Sequence, residues 1–103
     1  MKLKIEVTAQ DIKRHGKNVM SNDKCPNAIA VRRALRKAGV RNVAVSSGHT
    51  FVRLSTKQDE AGKMFDYPKQ AILLQSALMG GGITPKPIKY ALDIPASALG
   101  RRG

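Results

Sequence analysis

A segment that begins at Pro26 and ends at Gly39 constrains the fold of this chain more than any other feature. Proline suits the first position of a helix, where its missing N–H has no helical partner, and glycine commonly ends a helix. Between the two, apolar residues recur at helical spacing and most cations fall on other faces. The segment therefore predicts a helix over 26–38, with Cys25 or Asp23 as its N-cap.

A second proline-led segment is far more apolar. It starts at Pro68, has seven apolar residues among positions 71–79, and ends at the three glycines 80–82. A helix that is apolar nearly all round is either buried or in contact with a partner. We therefore expect a helix over 68–79 that packs on the core or meets another chain.

Short segments of alternating polarity predict the strands. They cover residues 2–8, 42–46, 50–55, 63–66 and 88–94. Val43 and Val45 can share a face with Val52 and Leu54, as an antiparallel hairpin requires. The order of elements predicts an α+β fold, a small two-layer sandwich of a mainly antiparallel sheet of four to five strands with two helices, about 26–38 and 68–79, packed on it.

A capping arrangement follows the first strand. Thr8 and Asp11 have the spacing at which a hydroxyl and a carboxylate cap the start of a helix. A short helical turn is therefore expected up to Arg14 or His15, followed by a loop over 16–24.

The length of 103 residues allows one domain with one core. We expect that domain to cover residues 1–95, and residues 96–103 to form a flexible basic C-terminal tail. No apolar run approaches the roughly 18 residues that span a bilayer, and the N-terminus lacks the apolar block of a signal peptide. With one cysteine, no internal disulfide can form, so a cytoplasmic setting is expected.

Charge is the clearest compositional signal. Nineteen Lys and Arg oppose seven Asp and Glu, which gives a net charge of +12. Such a field attracts nucleic acid or another polyanion, and arginine forks match phosphate oxygens in pairs. The candidate nucleic-acid contacts are Lys13, Arg14, Lys17, Lys24, Arg32, Arg33, Arg36, Lys37, Arg101 and Arg102. The competing interpretation is an ordinary solvated helix face, and alanine at 32, 33 and 36 is expected to preserve the fold.

Catalytic and metal-binding patterns are weak. Cys25 at a helix start, beside Lys24, has the surroundings of a reactive thiol, but cysteine is among the residues most often buried, and a structural role is favoured. His15 and His49 stand at no informative distance from it, and no paired metal-ligand spacing occurs. The glycines 80–82 follow a helix rather than lead into one, unlike a phosphate loop. We expect no enzyme, no catalytic residue, no metal and no cofactor.

Four short motifs are spread over most of the chain: Asp11-Ile12 before a glycine-bearing loop, Cys25-Pro26 with Ala28 and Ala30, Phe65-Asp66-Tyr67, and Pro-Ile-Lys-Tyr-Ala-Leu-Asp-Ile-Pro over 87–95. Together they resemble a group of small uncharacterised proteins encoded by tailed bacteriophages and prophages. The resemblance implies an accessory protein in the host cytoplasm that binds host factors, nucleic acid or defence components. The group has no assigned activity, so no site residue is carried over.

Three functional hypotheses follow. The first is a non-enzymatic protein that binds nucleic acid or a nucleoprotein complex. The second is a protein–protein inhibitor, acting on a host protein, or a homo-oligomer, in which the apolar helix 68–79 makes the interface. The third is a small enzyme that depends on Cys25.

Overall fold

The computed structural model describes residues 1–100. Its α-helices are α1 (Ala9–His15), α2 (Pro26–Lys37) and α3 (Lys69–Leu78). Its strands are β1 (Lys2–Val7), β2 (Ala44–Ser47), β3 (Phe51–Ser55), β4 (Lys63–Asp66) and β5 (Ile88–Asp93). Two short 3-10 helices, Gly16–Asn18 and Ala96–Leu99, complete the regular structure of this range.

The strands form two small antiparallel sheets. β1 pairs with β5, and β2, β3 and β4 pair in that order. The α+β class and the antiparallel pairing are therefore confirmed, but the expected single sheet of four to five strands is wrong. The break lies between β4 and β5, which border a common cleft instead of pairing. Helix α2 packs against both β1 and β2, so one core serves both sheets.

Helix α1 adds a third helix to the two long ones. The hydroxyl of Thr8 accepts from the backbone N–H of Asp11 at 3.1 Å, and the Asp11 carboxylate accepts from that of Thr8 at 2.9 Å. This reciprocal capping box is the one that the sequence predicts. The helix ends at His15, and a 3-10 turn occupies the start of the expected loop.

Helix α2 begins and ends as predicted. Cys25 is its N-cap, Pro26 takes the first helical position, and Gly39 adopts a φ of 77° just beyond the end. The N–H of Val40 donates to the carbonyl of Leu35 at 2.9 Å, and that of Gly39 to Arg36 at 3.0 Å. These two bonds are a Schellman motif, which requires the left-handed conformation that glycine adopts most easily.

Helix α3 starts one residue later than expected, because Pro68 is its N-cap. Ala71, Leu74 and Ala77 face the core. Leu73 is 44% exposed, and Met79 just after the helix is 47% exposed. The helix is therefore buried on one face and open on another. Among residues 1–100, no helix combines the length and the apolarity that crossing a membrane requires.

The folded domain extends beyond residue 95. Ala96–Leu99 forms a 3-10 helix, and its Ala98 and Leu99 are buried against the core, next to β3. The sequence predicts a flexible basic tail from residue 96, whereas residues 96–99 form this short helix and two of their apolar side chains are buried. Arg101 and Arg102 lie outside the described residues.

Candidate anion-binding cleft

Arg33 does not lie free on the surface of α2. Its guanidinium makes a bidentate ion pair with Asp11, with Nη1–Oδ1 and Nη2–Oδ2 distances of 3.0 and 2.5 Å. Nη2 also donates to the carbonyl of Glu6 at 2.9 Å. Arg33 therefore joins α2 to α1 and to β1, and most of its donors are already used.

The electrostatics of this pair agree with the geometry. Burial acts to raise the pKa of Asp11, but hydrogen bonds from Arg33 and Thr8 and the positive charge of Arg33 outweigh it and lower the pKa. The hydrogen bond to Asp11 raises the pKa of Arg33. Asp11 is buried, so its charge depends on Arg33. Arg33 is one of the predicted phosphate contacts, and its bonds to Asp11 and Glu6 also give it a structural role.

Three other arginines line a single cleft of about 280 Å³. Arg32 and Arg36 are one helical turn apart on α2, and Arg41 follows the end of that helix. The cleft is also lined by Leu35, Val40, Asn42 and Val43, and within the described part of the chain no carboxylate lines it. We call it the arginine cleft.

The end of α2 shapes the arginine cleft. The Schellman motif places Val40 beside Leu35, and these two buried side chains give the cleft an apolar wall. Asn42 then takes a φ of 64°, a left-handed conformation that asparagine tolerates better than most residues. The chain reverses within these few residues, and the reversal brings Arg41 back next to the arginines of α2.

The arginines differ in how many donors are free. Nη2 of Arg32 donates to the carbonyl of Asp23 at 2.8 Å, which holds that side chain along the helix. Arg36 and Arg41 are exposed, and within residues 1–100 neither guanidinium group has a hydrogen-bond or ion-pair partner. The cleft thus offers two free guanidinium groups and part of a third to an anion.

The remaining predicted cations are spread over the surface. Lys37 lies one turn after Arg33, and Arg14 lies one turn after Asp11, so both flank the ion pair between α1 and α2. Lys13 is two positions from Asp11 and faces away from it, and Lys17 follows in the 3-10 turn. Lys24 precedes the first residue of α2. The axis of this helix is about 18 Å long, so Lys24 lies far from Lys37 at its other end.

Arg41 is the residue that the sequence-based prediction missed. It lies outside the helix, so the periodicity of α2 does not include it. The signal that could have found it is Gly39, which ends the helix and turns the chain back two residues before Arg41. Arg32, Arg36 and Arg41 therefore come together, and the other predicted contacts within residues 1–100 do not line the cleft.

Other candidate chemistry has less support. Cys25 is 1% exposed, so its thiol lies in the core, and it makes no capping hydrogen bond to α2. His49 Nε2 lies 3.2 Å from Ser76 Oγ, and no carboxylate in the described part of the chain is hydrogen-bonded to that histidine. No group of three or more His, Cys, Asp or Glu within residues 1–100 is arranged to hold a metal ion.

Comparisons of the chain with protein-family models, with curated proteins and with solved structures found no match.

Proposed function

We propose that the protein is a small non-enzymatic accessory protein that binds nucleic acid, free or in a nucleoprotein complex, through backbone phosphates. The observation that carries this proposal is the arginine cleft, where Arg32, Arg36 and Arg41 surround a concave site that no carboxylate of residues 1–100 lines. Phosphate contacts position a protein on nucleic acid without reading its sequence. We therefore expect tight binding with little preference for sequence.

Charge supports the choice of ligand. The chain carries +12, and such a field speeds the approach of a polyanion and concentrates it at the surface. Arg14 and Lys37 add exposed cations on the neighbouring surface of α1 and α2. The resemblance to phage accessory proteins fits this ligand, and the proposed setting is the cytoplasm of an infected bacterium.

A purely structural role explains only part of the cleft. Cations near the C-terminus of a helix offset the negative end of its dipole, which accounts for Arg36 and Lys37. Arg32 lies in the preceding turn and Arg41 lies beyond the helix. Arg36 and Arg41 place two guanidinium groups without partners at one concave site, and guanidinium groups match phosphate oxygens in pairs, so a phosphate is the ligand we propose.

The test is the salt dependence of binding to labelled, mixed-sequence DNA and RNA, measured by fluorescence anisotropy. Affinity limited by phosphate contacts falls steeply as salt rises, because binding releases condensed counterions. Arg36→Gln and Arg41→Gln should weaken binding, whereas Arg53→Gln removes the same charge outside the cleft, on β3. Binding that is unchanged between low and high salt would contradict the proposal.

A second candidate function is a protein–protein interface on the open face of α3, in an inhibitor of a host protein or in a homo-oligomer. Leu73 and the 55%-exposed Ile83 line an apolar cavity of about 340 Å³ beside this helix. Light scattering measures the molar mass in solution, and it therefore distinguishes a homo-oligomer from a monomer that binds a host protein. A strict monomer whose mass is unaffected by Leu73→Lys would argue against self-association.

A further inference from the structure

β4 and β5 border one cleft of about 410 Å³. Residues 64–68 line one side, and Ala91, Leu92 and Asp93 line the other. Within residues 1–100, β4 pairs only with β3, and β5 pairs only with β1. No residue of β1 or β3 lines the cleft, so it runs along the unpaired edge of both strands. We call it the strand cleft.

The hydrogen-bond register identifies the backbone groups of β5 that face the strand cleft. Met1 and Ile94 exchange two bonds of 2.8 Å, and bonded pairs alternate with outward-pointing residues along an antiparallel ladder. Ala91 and Asp93 therefore point their N–H and C=O groups away from β1. The carbonyl of Lys89 belongs to the same outward set, and it accepts from the side chain of Gln70 at 3.4 Å.

The same reasoning applies to β4. The N–H of Tyr67 donates to the carbonyl of Thr50 at 2.9 Å, which makes these two residues a bonded pair. One step along the ladder, Asp66 stands opposite Phe51, so Asp66 and Met64 point their backbone groups away from β3. Two unpaired strand edges thus face one cleft from opposite sides.

We propose that the strand cleft accepts one extended peptide segment of a partner protein, which enters as a strand between β4 and β5 and joins the two sheets. Adding a strand to an exposed sheet edge is an established mode of peptide recognition. Here the added strand would satisfy two edges at once. This binding site is separate from the arginine cleft.

The side chains around the strand cleft define the chemistry of the segment. Phe65 and Leu92 face inward, so every second residue of the segment is apolar. On the outer face, Asp66 and Asp93 lie on opposite sides of the cleft, and the side chain of Asp93 is 91% exposed. The N-terminal ammonium approaches Asp93 to 3.9 Å, and Asp66 has no ion-pair partner in the described range. A lysine or arginine of the segment fits between the two carboxylates.

Ordinary edge protection does not account for this arrangement. Proteins protect free edges with short strands and charged residues, and β4 has both features. Protection of that kind is needed at each edge separately, however, and it does not place two edges along one cleft. The cleft borders three residues of β5, so the segment needs a length of at least about 10 Å.

The test uses the full chain and two labelled peptides, acetyl-Thr-Val-Lys-Val-Thr-amide and the same peptide with glutamate in place of lysine. The lysine peptide is expected to bind about fivefold more tightly, which corresponds to one favourable exposed pair. The net charge of the protein favours the opposite order, so this result would identify a local acidic site. Asp66→Asn should reduce the difference, whereas Glu60→Gln, a matched loss of one carboxylate outside the cleft, should leave it unchanged.

Amide hydrogen exchange gives the decisive readout. The lysine peptide should protect the amides of Met64, Asp66, Ala91 and Asp93, which point into the cleft. The amide of Leu92 is already bonded to β1, and its exchange should change little. Met64→Pro should abolish peptide binding without removing a bond to β3, and circular dichroism would check that the variant is folded. Absence of binding, or protection at other amides only, would overturn the proposal.

Discussion

The hydroxyl of Tyr90 donates a hydrogen bond to Oδ1 of Asn27 at 2.9 Å inside the core. Nδ2 of Asn27 donates in turn to the carbonyl of Ala71 at 3.3 Å. Buried polar groups are costly unless they are paired, and here the partners come from β5, α2 and α3. These two hydrogen bonds therefore fix how α2 and α3 lie on β5.

Tyr90→Phe is expected to lower the free energy of unfolding by about 1–2 kcal/mol, because it leaves Oδ1 of Asn27 buried without its donor. Urea denaturation measures this change. In a double-mutant cycle with Asn27→Ala, the double variant should lose less than the sum of the two single losses. Additive losses would show that the hydrogen bond does not couple the two residues.

Alkaline pH should destabilise the protein through its two tyrosines. Burial raises the pKa of Tyr67, against a smaller opposing effect of the hydrogen bond with Ser47, and burial also raises the pKa of Tyr90. The unfolded chain loses these protons near the ordinary value of 10.0, whereas the folded protein keeps them. The two tyrosines therefore contribute fully to the free energy of unfolding below pH 10, and this contribution is lost as the pH rises toward their pKa values in the folded protein.

Above pH 10, the free energy of unfolding should fall by about 1.4 kcal/mol per pH unit for each tyrosine. Urea denaturation at a series of pH values measures the slope, and phenolate absorbance reports the ionisation. Since the chain has only two tyrosines, the absorbance comes from these two alone. A phenolate band that grows at pH 10 while the circular dichroism stays native would contradict this expectation.

The helices could be predicted because their signals are local. Pro26 and Gly39 delimit α2 within one segment of sequence, and the Thr8–Asp11 capping box delimits the start of α1. The break between the sheets has no such signal. Whether β4 pairs with β5 depends on how α3 and the core hold two strands that are distant in sequence, and alternation of polarity is the same in either case.

The candidate site could be predicted only in part for a similar reason. Periodicity places Arg32, Arg33 and Arg36 on the outer side of α2, but it does not show which cation meets a carboxylate. Arg33 is paired because α1 brings Asp11 to it, and Arg41 joins the cleft because the chain reverses at Gly39. Both facts depend on tertiary contacts.

Arg33→Ala should destabilise the protein, whereas Arg36→Ala should not. We expect Arg33→Ala to cost about 1–2 kcal/mol, less than a fully buried pair, because the Arg33 side chain is 44% exposed and solvent screens it. Arg36→Ala should stay within about 0.5 kcal/mol of the unchanged protein. Equal urea midpoints for the two variants would contradict the structural role of Arg33.

The loss of stability at acid pH gives a second test of the ion pair between Asp11 and Arg33. The pKa of Asp11 lies below its ordinary value of 3.8. Asp11 therefore stabilises the folded protein above pH 3.8, and this stabilisation is lost as the pH falls through the pKa of Asp11 in the folded protein. Arg33→Ala removes the Arg33 hydrogen bonds and charge, which lower this pKa together with the hydrogen bonds from Thr8. The stability of the variant should therefore depend less on pH in this range, while Arg36→Ala should follow the unchanged protein.

Arg36→Gln and Arg41→Gln should each weaken binding to nucleic acid and reduce its salt dependence. If each arginine contacts one phosphate, the slope of log K against log salt should become shallower by about 1 for each variant. Affinity should fall by a similar factor on every sequence tested, because phosphate contacts carry no sequence information. Fluorescence anisotropy at several salt concentrations measures both quantities.

The matched control is Arg53→Gln, which removes one exposed arginine from β3, outside the arginine cleft. It lowers the net charge by the same amount, so it measures what the overall field contributes. If all three variants lose affinity equally, the chain binds through its net charge, and the arginine cleft is not the site. A larger loss and a shallower slope for Arg36→Gln and Arg41→Gln alone would place the phosphate between these two side chains.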